Sequence, residues 1–199
     1  MEDELRIVPA NQADPSDFDA LFGGRGNGHR CRCQRYRLEP GATFADMPVE
    51  ERAARLLDQT AAGDPDAPTT SGLLAYLGDE PVGWVAVAPR SDHQGLVRVF
   101  TVPWKDRAED PTDASVWAIT CLFVRAGHRR RGISRALAAA AVEFARERGA
   151  RAVEAYPIST TSVIEEELHV GTVPTFAPAG LSEVSHPTKR RKVVRTDFA

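Results

Sequence analysis

The strongest hydrophobic feature of the chain is an unbroken apolar run, Val116–Val124. Its length and its β-branched and aromatic residues predict a strand buried on both faces. An arginine-rich polar stretch, residues 125–132, follows. Beyond it, apolar residues at Ile133, Leu137, Ala140, Ala141 and Phe144 recur at helical spacing and predict a helix with one buried face. Gly149 stands where a left-handed cap would end that helix. Weaker patterns surround this centre. Residues 5–8 read as a short strand stopped by Pro9. Asp14-Pro15-Ser16-Asp17 opens a helix, with a capping aspartate, a proline at the first helical position and Phe18, Leu21 and Phe22 facing inward. A second helix runs from Pro48 to about Ala62, and residues 73–77 and 82–87 form two strands joined by a turn at Gly78-Asp79-Glu80-Pro81.

Residues 89–115 form a long polar connection rich in Pro and Asp, within which residues 96–102 predict a brief strand. After the central helix, residues 151–156 alternate as a strand that Pro157 stops. Residues 158–168 are a polar, acidic insertion, and residues 169–180 hold a short helix with Pro174 near its start. Residues 182–185 and 193–198 close the chain as strands around a basic turn at 189–192. The order β-α-α-β-β-β-α-β-α-β-β predicts an α/β fold of the mixed, α+β kind. It has a central mixed sheet of about six to seven strands flanked by helices, in a single domain over residues 1–199.

Composition narrows the class. An apolar content of 42% and a charged content of 27% are those of an ordinary globular protein. A net charge of −3 argues against a dedicated nucleic-acid binder, and the basic clusters at 128–131 and 189–192 lack an aromatic stacking platform. The three cysteines follow no disulfide pattern, the first ten residues lack a signal core, and no run is long enough to cross a bilayer. These features predict reduced thiols, no membrane contact and a cytoplasmic location. The glycine-rich loop at residues 23–30 lacks the Gly-Lys-Ser/Thr ending of a nucleotide P-loop. In the following stretch, His29, Cys31 and Cys33 lack the spacing of a zinc site, so no metal is expected. The cysteines read as inward packing residues with Arg30, Arg32 and Arg35 facing out, and the loop could also wall a substrate cleft through Tyr36.

The chemistry concentrates in the turn after the central strand. The first amides of a helix have no partner within it, and its dipole adds positive charge there. Gly132 lets an anion approach the backbone, and the arginines supply forked donors. The turn therefore predicts a site for a phosphorylated cofactor. Arg129-Arg130-Arg131-Gly132-Ile133-Ser134 resembles the acyl-CoA signature of the GNAT superfamily of N-acetyltransferases, Arg/Gln-x-x-Gly-x-Gly/Ala after a central strand. Ser134 departs from the usual Gly or Ala. The element order is similar along nearly the whole chain.

The resemblance implies transfer of an acetyl group from acetyl-CoA to an amine acceptor by direct attack in a ternary complex. The pyrophosphate would sit on the turn through Arg129, Arg130, Arg131, Gly132, Ile133, Ser134 and Arg135. The pantetheine arm would pair like an added strand with the backbone of Leu122 and Val124. The family's central-strand carboxylate would fall near Thr120 and Cys121, and neither is acidic. Glu154 is then the candidate base, its other reading being a solvated strand residue. The family's acid-donating tyrosine position holds Phe176, and the asparagine seven residues earlier is His169, which leaves Tyr156 as the substitute donor. Cys121 reads as core packing rather than as an acylated nucleophile. The acidic residues Glu165-Glu166-Glu167 and the aspartates of 106–113 would attract a cationic acceptor, such as a small-molecule metabolite or antibiotic, and homodimers are common in such a family. A GNAT-like module that binds acyl-CoA with little or no turnover is the alternative.

Overall fold

A computed structural model describes residues 4–24, 27–39, 41–43, 45–98, 102–160 and 162–199. In chain order the strands are β1 (Leu5–Pro9), β2 (Leu73–Leu77), β3 (Glu80–Pro89), β4 (Val116–Val124), β5 (Ala152–Ala155), β6 (Ser182–Thr188) and β7 (Arg191–Asp197). The helices are α1 (Pro15–Phe22), α2 (Asn27–Cys31), α3 (Val49–Thr60), α4 (Gln94–Arg98), α5 (Ile133–Glu147) and α6 (Val173–Phe176). The strands make one mixed sheet in the order β1-β2-β3-β4-β5-β7-β6, with β4 and β5 parallel and every other neighbouring pair antiparallel. The predicted mixed α/β architecture is the observed one.

Alternation along the strands sorts side chains to the two faces of the sheet. Leu73 and Ala75 of β2 and Val85 and Val87 of β3 pack with Leu137, Ala141 and Phe144 of α5. Their neighbours Leu74, Tyr76, Trp84 and Ala86 face the other way, onto Phe18, Leu21 and Phe22 of α1 and Leu56 of α3. A third cluster joins Tyr36, Leu96, Ala118, Tyr156, Ile158 and Val193 at the end of the sheet where β5 and β7 meet.

One irregularity positions the site. Between β3 and β4 the register shifts, Ala86 facing Cys121 and Val87 facing Ile119, so Thr120 is the extra residue of a bulge. The shift is visible in the packing. Trp117 and Ile119 face α5 at a spacing of two, but the next β4 residue in that cluster is Leu122, three further on. Parallel pairing with β5 also ends here, at Ile119 and Ala155, while β4 continues to Val124. The two central strands therefore diverge, and the segment after β5 bridges at Ile158 to Thr172 and Arg191.

Several expectations change. The stretch predicted as a strand over 96–102 is partly the helix α4; residues 99–101 lie outside the described residues, and Val102–Trp104 is a 3-10 turn. An interior strand would have needed a ladder partner, whereas the amides of Gly95 and Val97 donate to Tyr36 and His93 carbonyls. The glycine-rich stretch is not wholly a loop, since α2 occupies Asn27–Cys31. Arg32 is buried rather than outward, because its guanidinium reaches Asp19 at 2.9 Å.

The start of α1 follows the sequence closely. The Asp14 carboxylate accepts from the Ser16 amide at 2.8 Å, and the Asp17 carboxylate accepts from the Asp14 amide at 3.2 Å. Asp14→Ala should lower the urea midpoint of unfolding, because it removes the cap of α1.

Candidate functional site

The arginine-rich turn contains a 3-10 segment at Ala126–His128, then Arg130 at φ 62° and Gly132 at φ 82°. A β-carbon added at Gly132 would meet nothing within 4 Å, so it is the left-handed backbone that favours glycine there. The amides of Arg135 and Ala136 both donate to the Gly132 carbonyl, which closes the first turn of α5. The preceding amides of Ile133 and Ser134 are left at the positive end of its dipole.

This turn forms one end of a cavity of about 1100 Å³. Of the residues expected at a CoA site, Leu122, Val124, Arg129, Arg130, Gly132, Ile133, Ser134 and Arg135 all line it. Arg131 is exposed and does not. The cavity runs along β4 where β5 has left it, and on that side Thr120–Val124 have no paired strand. An extended amide-bearing chain laid there would meet unpaired β4 backbone, and phosphates at the other end would meet helix amides and arginines. The residues present fit CoA.

The opposite wall is the 3-10 segment Glu165–Val170, which packs on β4, followed by α6. Within it, His169 lines the large cavity and also a second one of about 380 Å³. Its Nδ1 lies 2.6 Å from the Glu166 carbonyl, which can only accept, so Nδ1 carries the proton and Nε2 the lone pair. That Nε2 is buried without a hydrogen-bond partner. Burial, together with the nearby cations Arg35 and Arg191, pulls the imidazole pKa down to about 4. His169 is therefore neutral near pH 7. Glu166 also lines both cavities. On sequence grounds His169 stands out only as the replacement for an asparagine, and Glu166 only as part of the acidic run expected to attract a cationic acceptor.

Glu154 and Tyr156 lie elsewhere. Glu154 is fully buried and lines neither cavity. Its carboxylate meets Arg107 at 2.5 Å, Arg195 at 3.0 Å and Arg90 at 3.4 Å, while the Arg90 and Arg107 guanidiniums lie over the Trp104 ring. Tyr156 lines the second cavity, but its hydroxyl donates to Glu154 at 3.1 Å, and burial beside that carboxylate raises its pKa well above the ordinary value. The residues join in one buried polar network that ties the 89–115 connection to β5 and β7.

Phe176 is fully buried against Gly171, where an added β-carbon would lie 2.7 Å from its ring. Beside it, Thr172 and Thr175 line the large cavity with their hydroxyls 3.1 Å apart. Cys31, Cys33 and Cys121 line the same cavity as free thiols. A hydrogen bond with Cys121, followed by burial, raises the Cys33 pKa well above the ordinary thiol value, and burial raises that of Cys31. Trp84 Nε1 donates to Cys33 Sγ at 3.1 Å. Among the described residues, no three His, Cys, Asp or Glu side chains are grouped to hold a metal ion, and no helix is long and apolar enough to cross a membrane.

Residues 35–162 match the model of the Acetyltransferase (GNAT) family. Solved structures share the fold along nearly the whole chain. A GCN5-related N-acetyltransferase from Kribbella flavida superposes with a TM-score of 0.55 at 18% identity, covering 98% of both chains. An acetyltransferase of the GNAT family from Streptococcus pneumoniae gives 0.52 at 16% identity, covering 98% of this chain and 100% of its own. The structure of yncA from Salmonella typhimurium with its cofactor acetyl-CoA gives 0.54 at 12% identity, covering 97% of this chain and 93% of its own. A search of curated protein sequences finds no match.

The network around Glu154 has a measurable consequence. Glu154→Gln would leave three buried or nearly buried guanidiniums without their shared carboxylate. Unfolding in urea should show a loss of about 3–5 kcal/mol, the scale for breaking a buried ion pair. Acetyl-CoA affinity of the protein that remains folded should stay at the wild-type value.

Proposed function

This chain belongs to the GNAT acetyltransferase family, and we propose that it is an acetyl-CoA-dependent N-acetyltransferase acting on a primary amine of a small molecule. One observation carries this reading: the cavity that fits CoA and the second cavity share His169 and Glu166. A donor in the first and an acceptor in the second would meet at that wall, as direct transfer in a ternary complex requires.

Acetyl-CoA supplies an activated acetyl thioester. The chain's part is to hold it, orient the amine and manage protons. The turn Arg129–Arg135 is assigned to the pyrophosphate through the amides of Ile133 and Ser134 and the neighbouring guanidiniums. The backbone of Leu122 and Val124 is assigned to the pantetheine arm. An ammonium cannot attack, so the acceptor must lose a proton. Glu154, held by Arg90, Arg107 and Arg195 away from both cavities, is assigned a structural role instead of that of base. The base is His169, which is neutral, with its Nδ1–H fixed on the Glu166 carbonyl and its Nε2 lone pair unclaimed. Its low basicity excludes it as acceptor of the resting ammonium's proton, which leaves to solvent so that the free amine attacks; His169 takes the second proton, as the attacked nitrogen becomes acidic. The departing thiolate needs little help, since a thiol pKa is only about 8.5, and the Thr172–Thr175 hydroxyl pair lines the large cavity as a donor.

A second reading, acyl-CoA binding without turnover, draws on Phe176, which is fully buried at the position of the family's tyrosine. Turnover separates the two. Calorimetry should show acetyl-CoA binding to the wild type and at least about tenfold weaker binding to Gly132→Trp, which strains the left-handed backbone and fills the phosphate end. Unchanged affinity in that variant would remove the turn from the cofactor site.

Thiol release with an amine panel then tests the base. His169→Gln should lower kcat by about a hundredfold or more while leaving the Kd for acetyl-CoA unchanged. Because His169 is neutral down to about 4, the wild-type rate should show no His169 protonation step between about pH 5 and pH 8. A rate that survives the substitution would return the proton to solvent.

A further inference from the structure

The second cavity carries an unbalanced set of charges. Arg35, Arg190, Arg191 and Lys192 line it, against Glu166 and Glu167. Two of the cations are already matched: Arg190 bonds Glu167 at 2.8 Å, and Lys192 bonds Glu183 at 2.5 Å. Arg35 and Arg191 make no ion pair among the described residues, and Arg35 Nε is a buried donor with no acceptor. Both are half-buried rather than projecting into solvent. They line the cavity together with the Tyr36 and His169 rings. Those rings lie 6.0 Å apart.

On the anionic side, Glu166 is the one lining carboxylate left without a cation partner among the described residues. Its placement differs from that of the arginines in one respect: Glu166 and His169 border both cavities, whereas Arg35 and Arg191 border only the second. The free negative charge thus borders the donor site, whereas the free positive charges border the second cavity alone.

Taking the N-acetyltransferase reading as its basis, we infer that the acceptor is a zwitterion, a small amine that also carries a carboxylate or phosphonate. Its anionic group pairs with Arg35 and Arg191, filling the orphaned Arg35 Nε, and its ammonium sits at Glu166 next to His169. Guanidinium forks match such oxyanions bidentately, and their burial makes the pairing stronger than at an open surface. The order of charges sets the direction of binding. An acceptor entering reversed would bring its anion to Glu166 and its ammonium to two arginines. A polycation such as a polyamine, which the acidic insertion alone would attract, meets the same two arginines unpaired.

Thiol release from acetyl-CoA tests this with a panel of α- and ω-amino acids and aminoalkylphosphonates, each beside its methyl ester or the corresponding simple amine, and with polyamines. The expected result is turnover of acid-bearing members at a kcat/KM at least about tenfold above their uncharged counterparts. Arg35→Gln and Arg191→Gln should each raise the acceptor KM about tenfold or more and narrow that preference. Arg→Lys variants at both positions should recover part of it, and acetyl-CoA affinity by calorimetry should be unchanged in all four. Equal or better turnover of esters or polyamines overturns the inference, as does an acceptor KM indifferent to both arginines, or acetyl-CoA binding with no acid-bearing member turned over. The base assignment fails separately: a preference for acids that coexists with full activity in His169→Gln would keep the acceptor class and discard the base.

Discussion

The divergence of β4 from β5 is the constraint on which the rest of the site depends. A parallel pair buried on both faces would normally continue in register, but β5 stops at Ala155, opposite Ile119, and Thr120 is bulged out of the β3 ladder at the same level. Beyond this point one edge of β4 keeps its bonds to β3 and the other has none from β5. Backbone amides and carbonyls in the centre of a sheet cannot remain unpaired at small cost. The fold answers by placing the Glu165–Val170 segment across the opening rather than in it, which leaves a slot beside β4. The slot and the N-terminus of α5 are consecutive along the chain, because β4 feeds α5 through residues 125–132. A ligand needing both an extended amide arm and a phosphate seat finds them already aligned.

Opening a sheet at its centre has to be offset at its ends. Here the offset is ionic as well as apolar. Glu154 lies on the short strand β5, beside the divergence, and gathers Arg90 and Arg107 from the 89–115 connection and Arg195 from β7. The four residues come from three separate parts of the chain, so the cluster fixes the end of β5 relative to its neighbours. Tyr156 extends the same network by donating to Glu154. Because a buried charge deprived of its partner is costly, this arrangement favours one geometry more than it adds net stability. That is the kind of restraint a strand needs when its next residues must leave the sheet.

The sequence made the frame legible and left the catalytic detail hidden, for identifiable reasons. The strand Val116–Val124 and the start of α5 at Ile133 were readable because an apolar run, a glycine and a helical period fall in succession. The bulge at Thr120 was not, since a strand apolar on both faces gives no alternation to break. Glu154 looked like a candidate base because its neighbours in sequence say nothing of three arginines between 41 and 64 positions away that close on it. The same limitation concealed Arg35 and Arg191, which are remote in the chain and share the lining of the second cavity. The strand expected over 96–102 failed because a short apolar stretch has no period long enough to separate strand from helix.

Charge gives the two cavities a common logic in a chain whose net charge is −3. The arginine-rich turn lines the large cavity with arginines and helix amides, and two unmatched arginines line the second, so both favour anions. Between them stand Glu166 and a neutral His169. If His169 were charged at working pH, it would cancel the Glu166 charge, and the junction would lose its attraction for an ammonium. Burial and the flanking arginines keep it neutral, so the same cations proposed to hold an acceptor's anion also preserve the lone pair proposed to take its proton. Binding and proton handling are therefore one electrostatic arrangement. An uncharged residue in place of either arginine loosens the hold on the anion and, by the same step, lets the His169 pKa rise.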